Sequence, residues 1–552
     1  MKLKFLLIGL LFSSLIFAQN NNNFEVSKNL EIYGDIMRKL NLQYADDIKP
    51  GDLTKTSIDA MLNQLDPYTV YVPESQLEDL DLMTRGEYGG IGALIQKQGD
   101  YVVISEPYED FPAQKSGLRA GDRIVEIDGE TTVGKTSSQV SEKLKGVPGS
   151  KIEIVVMPFN DSIRKMHELV REKIKFPNIP YSGMVSENIA YINLSQFNPK
   201  SAADVKNAFL DLRNNNNVTG LIIDLRNNGG GLLNEAVDIV NIFVPKEQTV
   251  VTTKGKLKES TMIHKTKNAP VDTKIPVVVL VNENTASASE IVSGSLQDLD
   301  RAVIIGQKTY GKGLVQNILP LPYNSKIKIT VAKYYIPSGR CIQAIDYFNR
   351  DKNGSIEKIP DSLLSVFKTK GGRKVFDGAG IFPDISIDPI RFSQISADLY
   401  TGNYIFKFAN EYFSKHDSIA SPIDFEIDDT TYESFKKSVE KMDFDYLTET
   451  ESLLDRLGKS AEREHYLEAI SNDIEELKNS IKTEKKKDID KFRNEIEEML
   501  KIEIISRYYY QKGKIVASLK TDEEIEKAVE LLNDNDLYKS ILKGSYKDNT
   551  KD

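Results

Sequence analysis

The chain has 552 residues, too many for one hydrophobic core and enough for about three or four domains. Its hydrophobic content of 40%, charged content of 28% and net charge of −10 are typical of a globular protein and argue against nucleic acid as the main partner. The single cysteine, Cys341, excludes an internal disulfide and a cysteine-built zinc site.

Residues 1–18 have the layout of a secretory signal peptide. Lys2 and Lys4 precede an apolar run that ends at Ala18, which predicts cleavage before Gln19. A membrane anchor is the alternative, but the run is shorter than the ~20 apolar residues that a spanning helix needs. We therefore expect an exported protein of the periplasm or cell envelope.

Residues 24–85 are predicted to form a helical N-terminal segment. Apolar residues recur there at helical spacing, and the segment contains the sequence LDPYT at residues 65–69. Asp66 before Pro67 is a helix-ending signal, so this part indicates a structural role.

From residue 86 to residue 172 the pattern changes to short strands broken by glycine turns, as in GEYGGIGALIQ and GLRAGDRIVEIDGE. These strings resemble a PDZ domain of the bacterial protease type. The resemblance implies capture of a peptide as an added strand, with the peptide's terminal carboxylate held by backbone N–H groups. Its carboxylate loop would be Gly89, Gly90, Ile91 and Gly92. The alternative is that these glycines serve only a tight turn.

An α/β pattern follows. Strands are predicted at residues 189–194 and 220–225, with a helix at 201–213 between them, and the second strand runs into the glycine-rich turn DLRNNGGGL at 224–232. Such a turn exposes backbone N–H groups that suit a negative charge. An oxyanion site, a phosphate site and a simple tight turn are all compatible with it.

Residues 277–316 predict a strand at 277–281, a helix that begins close to Ser287, and a second strand at 302–305. Both following loops leave the carboxyl edge of the sheet, so Ser287 and Lys312 can meet. A lysine whose pKa is lowered by burial from ~10.4 can take the proton of a serine nucleophile. None of the four histidines lies in this unit.

Two other interpretations apply to the same residues. Ser287 and Glu290 fit a helix capping box, which would give the serine a structural role. Residues 306–313, GQKTYGKG, match the phosphate-loop pattern up to Lys312 and predict a nucleotide-binding enzyme. Gly313, however, replaces the required Ser or Thr, and no helix pattern follows.

The strings TASASE (285–290) and TYGKG (309–313), with Asp298 and Gln316, resemble the carboxyl-terminal processing proteases of the S41 family. The resemblance implies an α/β peptidase core of the crotonase/ClpP-like type, preceded by the PDZ domain and flanked by helical N- and C-terminal regions. It also implies the roles of the site residues. Ser287 would be the nucleophile, with Ser289 as the rival, Lys312 the general base, and Gln316 the group that orients Lys312. The N–H groups of Ala288 and of Gly230 or Gly231 would be the oxyanion donors. No metal or cofactor is expected.

Residues 396–552 are predicted to be helical, with apolar seams such as Ile489, Phe492, Ile496 and Leu500. The charged stretch 482–491 indicates a solvated helix face, and an arm for an adaptor or for self-association is the alternative. The expected domains are the signal peptide (1–18), the N-terminal helical segment (24–85), the PDZ domain (86–172), the peptidase core (173–395) and the helical C-terminal region (396–552).

The sequence therefore predicts an exported serine endopeptidase that recognises the C-terminal tails of its protein or peptide substrates and hydrolyses peptide bonds with a Ser-Lys dyad. The rival from another class is a peptide-binding scaffold or chaperone, which would bind tails without cleaving them.

Overall fold

The computed structural model describes residues 2–77, 80, 86–350, 356–358 and 360–546. The chain divides into two compact units, one made of Met1–Glu74 and Gln316–Thr330 and the other of Ser75–Val315 and Val331–Asp552. None of the helices that the structure describes is long and apolar enough to cross a membrane.

The first unit begins with helices α1 (Lys2–Gln43) and α2 (Pro50–Leu62) and strand β1 (Val70–Val72). Strand β1 pairs antiparallel with residues 326–328. The carboxylate of Asp66 accepts the N–H groups of Tyr68 and Thr69, both at 2.8 Å. The sequence LDPYT therefore forms a side-chain-stabilised turn into β1, as its structural interpretation predicts.

The region of the predicted PDZ domain is a small antiparallel sheet with two short helices. Its elements are β2 (Glu87–Gly90), β3 (Ala93–Gln98), β4 (Tyr101–Pro107), α3 (Pro112–Lys115), β5 (Arg123–Ile127), β6 (Glu130–Thr131), α4 (Ser137–Leu144), β7 (Lys151–Met157), β8 (Lys165–Val170) and β9 (Glu172–Lys175). The strand order is β3-β4-β5-β7-β8, with β6 beside β5 and with β2 paired to β9. Strand β3 therefore lies at an edge of the sheet.

The region of the predicted peptidase core contains the α/β sheet. Its elements are β10 (Tyr181–Met184), β11 (Ile189–Asn193), α5 (Ser201–Asn215), β12 (Gly220–Asp224), α6 (Leu233–Phe243), β13 (Thr249–Gly255), β14 (Met262–Lys265), β15 (Val277–Val281), α7 (Ala288–Asp298) and β16 (Val303–Gly306). Beyond it follow β17 (Leu314–Pro320), β18 (Lys326–Tyr335), β19 (Ile345–Arg350), β20 (Ile356–Lys358), β21 (Val366–Lys368), β22 (Lys374–Phe376) and β23 (Ile385–Ser386).

Six of these strands form one sheet in the order β10-β11-β12-β15-β16-β23. All neighbours from β11 to β23 are parallel, and β10 is antiparallel to β11. The predicted strands and the helix that begins beside Ser287 are confirmed. Because the strands are parallel, the turns that follow β12, β15 and β16 all leave the same carboxyl edge.

The C-terminal region consists of helices: α8 (Gln394–Thr401), α9 (Tyr404–Lys415), α10 (Asp429–Lys441), α11 (Glu449–Arg463), α12 (Leu467–Lys491), α13 (Arg493–Ser518), α14 (Glu523–Asn533) and α15 (Asn535–Leu542). Helices α8 to α10 and α13 share a core of their own. This region also contacts the PDZ region, where Lys514 lies 2.6 Å from the carboxylate of Glu106.

Helices α14 and α15 belong to a different core. One face of the parallel sheet packs against α5, α6 and α7, and apolar side chains of α14 and α15 cover the opposite face. That second core contains Tyr191, Ile222 and Val278 from the strands and Ile525 and Leu531 from α14. The sequence placed residues 396–552 outside the peptidase core, whereas the structure gives the last two helices a place in it. The reason is that a parallel sheet must be covered on both faces.

Candidate active site

Ser287 lies in the turn between β15 and α7, at the carboxyl edge of the sheet. Its backbone has φ 58° and ψ −115°, a conformation that non-glycine residues rarely adopt and that costs about 1–3 kcal/mol. Its neighbours Ala286 and Ala288 are buried, while Ser287 itself is partly exposed. A strained turn therefore presents this serine at the first residues of a helix.

Ser289, the rival nucleophile, is placed differently. Its side chain is fully buried, and its Oγ donates to the backbone carbonyl of Asn228 at 2.9 Å. This hydroxyl holds two loops together and cannot reach a substrate, so the geometry favours Ser287.

The fully buried carboxylate of Glu290 connects Ser287 to Lys312. Its Oε2 accepts the backbone N–H of Ser287 at 2.8 Å and that of Lys312 at 2.9 Å. Its Oε1 accepts the hydroxyl of Thr309 at 2.6 Å and the N–H of Gly311 at 2.8 Å. Burial raises the pKa of Glu290, and these four donors oppose that effect. One side chain thus fixes the turn of Ser287 against the loop of Lys312.

Tyr334, on β18, supports the same two residues through their carbonyl groups. Its hydroxyl donates to the carbonyl oxygen of Lys312 at 2.6 Å and lies 3.2 Å from that of Ser287. The tyrosine is buried, which keeps this contact away from competing water. Glu290 and Tyr334 together hold both the N–H and the C=O sides of Ser287 and Lys312.

The glycine-rich turn after β12 lies beside Ser287. A Cβ atom built on Gly230 would lie 2.8 Å from the backbone nitrogen of Ala288 and 2.8 Å from Cβ of Ser287, so a side chain has no room there. The N–H of Gly230 donates to the side-chain oxygen of Asn228 at 2.9 Å. In the part of the chain that the structure describes, no acceptor faces the N–H of Gly231 or of Ala288. The structure therefore places Gly230 against Ser287 and Ala288. The N–H of Gly230, the first of the two predicted glycine donors, is engaged by Asn228, so the available donors are the N–H groups of Gly231 and Ala288.

Gln316 is part of the first unit, where its Nε2 donates to Oγ1 of Thr330 at 3.2 Å.

The predicted carboxylate loop spans the end of β2 and the turn into β3. Gly89 and Gly90 pair with β9, Ile91 is buried, and Gly92 has φ +74°. The carbonyl groups of Ile91 and Gly92 accept backbone N–H groups from residues 113 and 108. No acceptor among the described residues takes the N–H of Ile91 or Gly92, so both remain available at the start of the edge strand β3.

Asp298, one of the motif residues, ends α7 in a buried ion pair. Its Oδ1 lies 2.9 Å from a guanidinium nitrogen of Arg340, and both side chains are completely buried. Burial raises the pKa of Asp298 and the charge of Arg340 lowers it, which is the environment of a structural pair. Among the described residues, no group of three or more His, Cys, Asp or Glu side chains is placed to hold a metal ion.

Sequence reasoning missed three residues of this site. The sequence pattern assigned Glu290 only to the capping box, whereas in the structure Glu290 accepts three further hydrogen bonds. The pattern gave no role to Tyr334 or Asn228. Glu290 lies in the motif TASASE and Asn228 in the motif DLRNNGGGL, and this was the sequence signal that could have identified them. Tyr334 stands in an ordinary strand pattern without any such signal.

Three family models match the chain. The model of peptidase family S41 matches residues 188–347, a PDZ domain model matches 103–157, and the model described as a probable PDZ-protease C-terminal helical domain matches 395–532. Among solved structures, a photosystem II D1 C-terminal processing protease is 29% identical, covers 64% of this chain and 86% of its own, and has a TM-score of 0.36.

Relatives are found among proteases of bacteria. A carboxy-terminal-processing protease of Bartonella bacilliformis is 34% identical over 352 residues, which are 62% of this chain and 80% of that protein. A probable CtpA-like serine protease of Staphylococcus haemolyticus is 34% identical over 308 residues, 55% of this chain and 61% of that protein. The chain therefore belongs to peptidase family S41, as a carboxy-terminal-processing serine protease that carries a PDZ domain.

Proposed function

We propose that the protein is an exported endopeptidase that selects substrates by their C-terminal tail and cleaves them with Ser287 and Lys312. The observation that carries this proposal is the double connection of these two residues through Glu290 and Tyr334. A nucleophile and a base must keep a fixed relative position to share a proton, and these contacts would provide it.

In the proposed reaction, Oγ of Ser287 attacks the carbonyl carbon of the scissile bond while neutral Lys312 takes its proton. The negative charge on the carbonyl oxygen is held by the N–H of Ala288 and by that of Gly231, since the N–H of Gly230 already donates to Asn228. Collapse of this intermediate breaks the C–N bond, and the Lys312 ammonium returns its proton to the leaving amine. Water then attacks the acyl-enzyme, Lys312 takes and returns a proton again, and Ser287 is regenerated. The role of Gln316 in this scheme is to orient Lys312.

The PDZ region is proposed to hold the tail. Substrate would extend the sheet at the edge strand β3, with its terminal carboxylate on the N–H groups of Ile91 and Gly92 in the loop formed by Gly89 to Gly92. The proposed domains are the PDZ domain at 86–172, the peptidase core at 173–395 and the helical region at 396–552, with its last two helices completing the peptidase core.

Amidation of the substrate's C-terminus tests this tail selection. We expect an unstructured polypeptide with an apolar, amidated tail to show a KM ~10-fold or more above that of the free acid, since charge-assisted hydrogen bonds to the tail are lost. Initial cleavage rates measured against substrate concentration give both constants. Identical constants for the two tails would contradict tail selection and leave the peptidase assignment intact.

Two glycines with positive φ provide matched variants for that experiment. In Gly92→Ala a Cβ would lie 2.4 Å from Cβ of Phe111, whereas in Gly99→Ala nothing lies within 4 Å. Both changes strain the backbone, but only Gly92 is in the carboxylate loop. We expect Gly92→Ala to raise KM for the free acid and Gly99→Ala to leave it unchanged.

Export is proposed from residues 1–18 alone. We expect chains isolated from the cell envelope or periplasm to begin at Gln19 when their N-terminus is sequenced. Chains that retain Met1 and stay in the cytosolic fraction would contradict export.

A further inference from the structure

Arg226 lies between the end of β12 and the glycine-rich turn. Its guanidinium binds the carboxylate of Asp224 with two nitrogens, Nη2 to Oδ2 at 2.6 Å and Nε to Oδ1 at 3.0 Å. The hydroxyl of Tyr191, on the neighbouring strand β11, donates to the same carboxylate at 2.8 Å. Arg226 is therefore fixed to the parallel sheet on one side.

On its other side Arg226 binds the start of helix α14. Its Nη1 lies 2.7 Å from Oδ2 of Asp522 and 2.7 Å from Oε2 of Glu524. The second oxygen of Glu524 lies 3.5 Å from Nε2 of Gln307, at the start of the loop that carries Lys312. Burial lowers the pKa of Arg226 and the three carboxylates outweigh that effect, so the pKa is raised and the side chain remains charged.

Helix α14 is packed against the sheet beside this contact. Its apolar side chains Ile525 and Leu531 are buried against the sheet. In the following helix, the hydroxyl of Tyr538 accepts the N–H of Val277 at 2.9 Å. The side chains of Arg226, Asp522 and Glu524 keep 19%, 17% and 10% of their exposure, so this charge cluster is partly buried. Such a cluster adds little net stability, but removing one partner leaves the others uncompensated.

The turn that follows Arg226 holds Gly230 through the side chain of Asn228. Asn228, two residues later, is fully buried, and its carbonyl accepts the N–H of Ala286 at 3.0 Å. Its side chain donates to the carbonyl of Leu194 at 2.7 Å and accepts the N–H of Gly230 at 2.9 Å. Arg226 therefore stands two residues before the position that holds the backbone facing Ser287.

We propose that Asp522 and Glu524 are positioning residues of the peptidase, which act through Arg226 on the glycine-rich turn. This inference rests on the proposed function, in which an N–H of that turn stabilises the oxyanion. Residues near the C-terminus would then contribute to catalysis without contacting substrate, because they set where the oxyanion donor stands.

Isosteric variants separate charge from packing. Asp522→Asn keeps a good helix cap on α14, since Asn and Asp cap helices equally well, and Glu524→Gln keeps the side-chain shape. Both remove a charge that faces Arg226. Glu523→Gln is the matched control, because Glu523 is exposed on the same helical turn.

The full-length chain is tested in two assays. Cleavage of an unstructured polypeptide with an apolar free tail gives kcat and KM. Labelling with a fluorophosphonate gives the rate constant of labelling and its end point, which is the fraction of chains that become labelled. For the double variant Asp522→Asn/Glu524→Gln we expect kcat and the labelling rate constant to fall ~10-fold or more, with KM within about 2-fold and an unchanged end point. Each single variant should show a smaller loss of the same kind, and Glu523→Gln none.

A merely structural role would lower the melting temperature and the labelling end point but leave the rate constant of each competent site unchanged. That result, or wild-type kinetics in the double variant, would overturn the inference. If the wild-type chain itself neither cleaves nor is labelled, the proposed function fails and this inference fails with it.

Discussion

Replacing Ser287 by alanine is expected to abolish peptide-bond hydrolysis, with a fall in kcat of ~10⁴-fold or more. The variant loses the only atom proposed to form the acyl-enzyme. The backbone N–H and C=O of residue 287 keep their contacts with Glu290 and Tyr334. Lys312→Ala is expected to lose about as much, because a nucleophile without its base is inactive, and the double variant should be no worse than either single one. Initial rates of cleavage measure all three.

Ser289→Ala is the matched control for this prediction. It removes a buried hydroxyl whose hydrogen bond contributes about 1 kcal/mol, so we expect some loss of stability with kcat retained within ~10-fold. A fluorophosphonate forms an O–P bond with the nucleophilic serine and releases fluoride, so peptide mapping by mass spectrometry identifies that residue. An adduct on Ser289, or full activity of Ser287→Ala, would overturn the assignment.

The sheet was predictable because of a simple physical constraint. Strands such as Val277–Val281 are buried on both faces, so they appear as unbroken apolar runs, and parallel strands bring their following turns to one edge. That was enough to place Ser287 and Lys312 together. The sequence did not indicate what covers the second face of the sheet. Helix α14, which follows β12 by about 300 residues in the sequence, packs on that face. Local sequence patterns contain no signal for a partner so far away.

The candidate site could likewise be predicted only where its contacts are local in sequence. The capping-box pattern correctly predicted that Glu290 accepts the N–H of Ser287. It could not predict the donors from the loop of Lys312, which stand 19 to 22 residues away and meet Glu290 only after the sheet has formed. The partners of Tyr334 stand 22 and 47 residues away from it. A pattern specifies local geometry, whereas the relation between two catalytic loops depends on tertiary contacts.

Glu290→Gln is expected to lower kcat by ~10²-fold and the free energy of unfolding by ~2–5 kcal/mol. The native carboxylate accepts four hydrogen bonds, two at each oxygen. An amide presents an NH2 group in place of one oxygen, so two donors lose their acceptor in either orientation of the side chain. The turn of Ser287 or the loop of Lys312 must then move. Initial cleavage rates and urea unfolding measure the two effects.

The glutamine also imitates the protonated glutamic acid, which connects this variant to pH. Because burial raises the pKa of Glu290, the wild-type enzyme should lose activity as pH falls through that raised pKa, since an O–H would then face converging donors. The variant should lack this part of the acidic limb of the pH profile.

The exposed Glu283, in the same turn, gives the control Glu283→Gln, for which wild-type rates and an unchanged profile are expected. Wild-type kcat in Glu290→Gln would mean that the two loops keep their relative position without this carboxylate. The connection through Tyr334 would then be the one to test, with Tyr334→Phe.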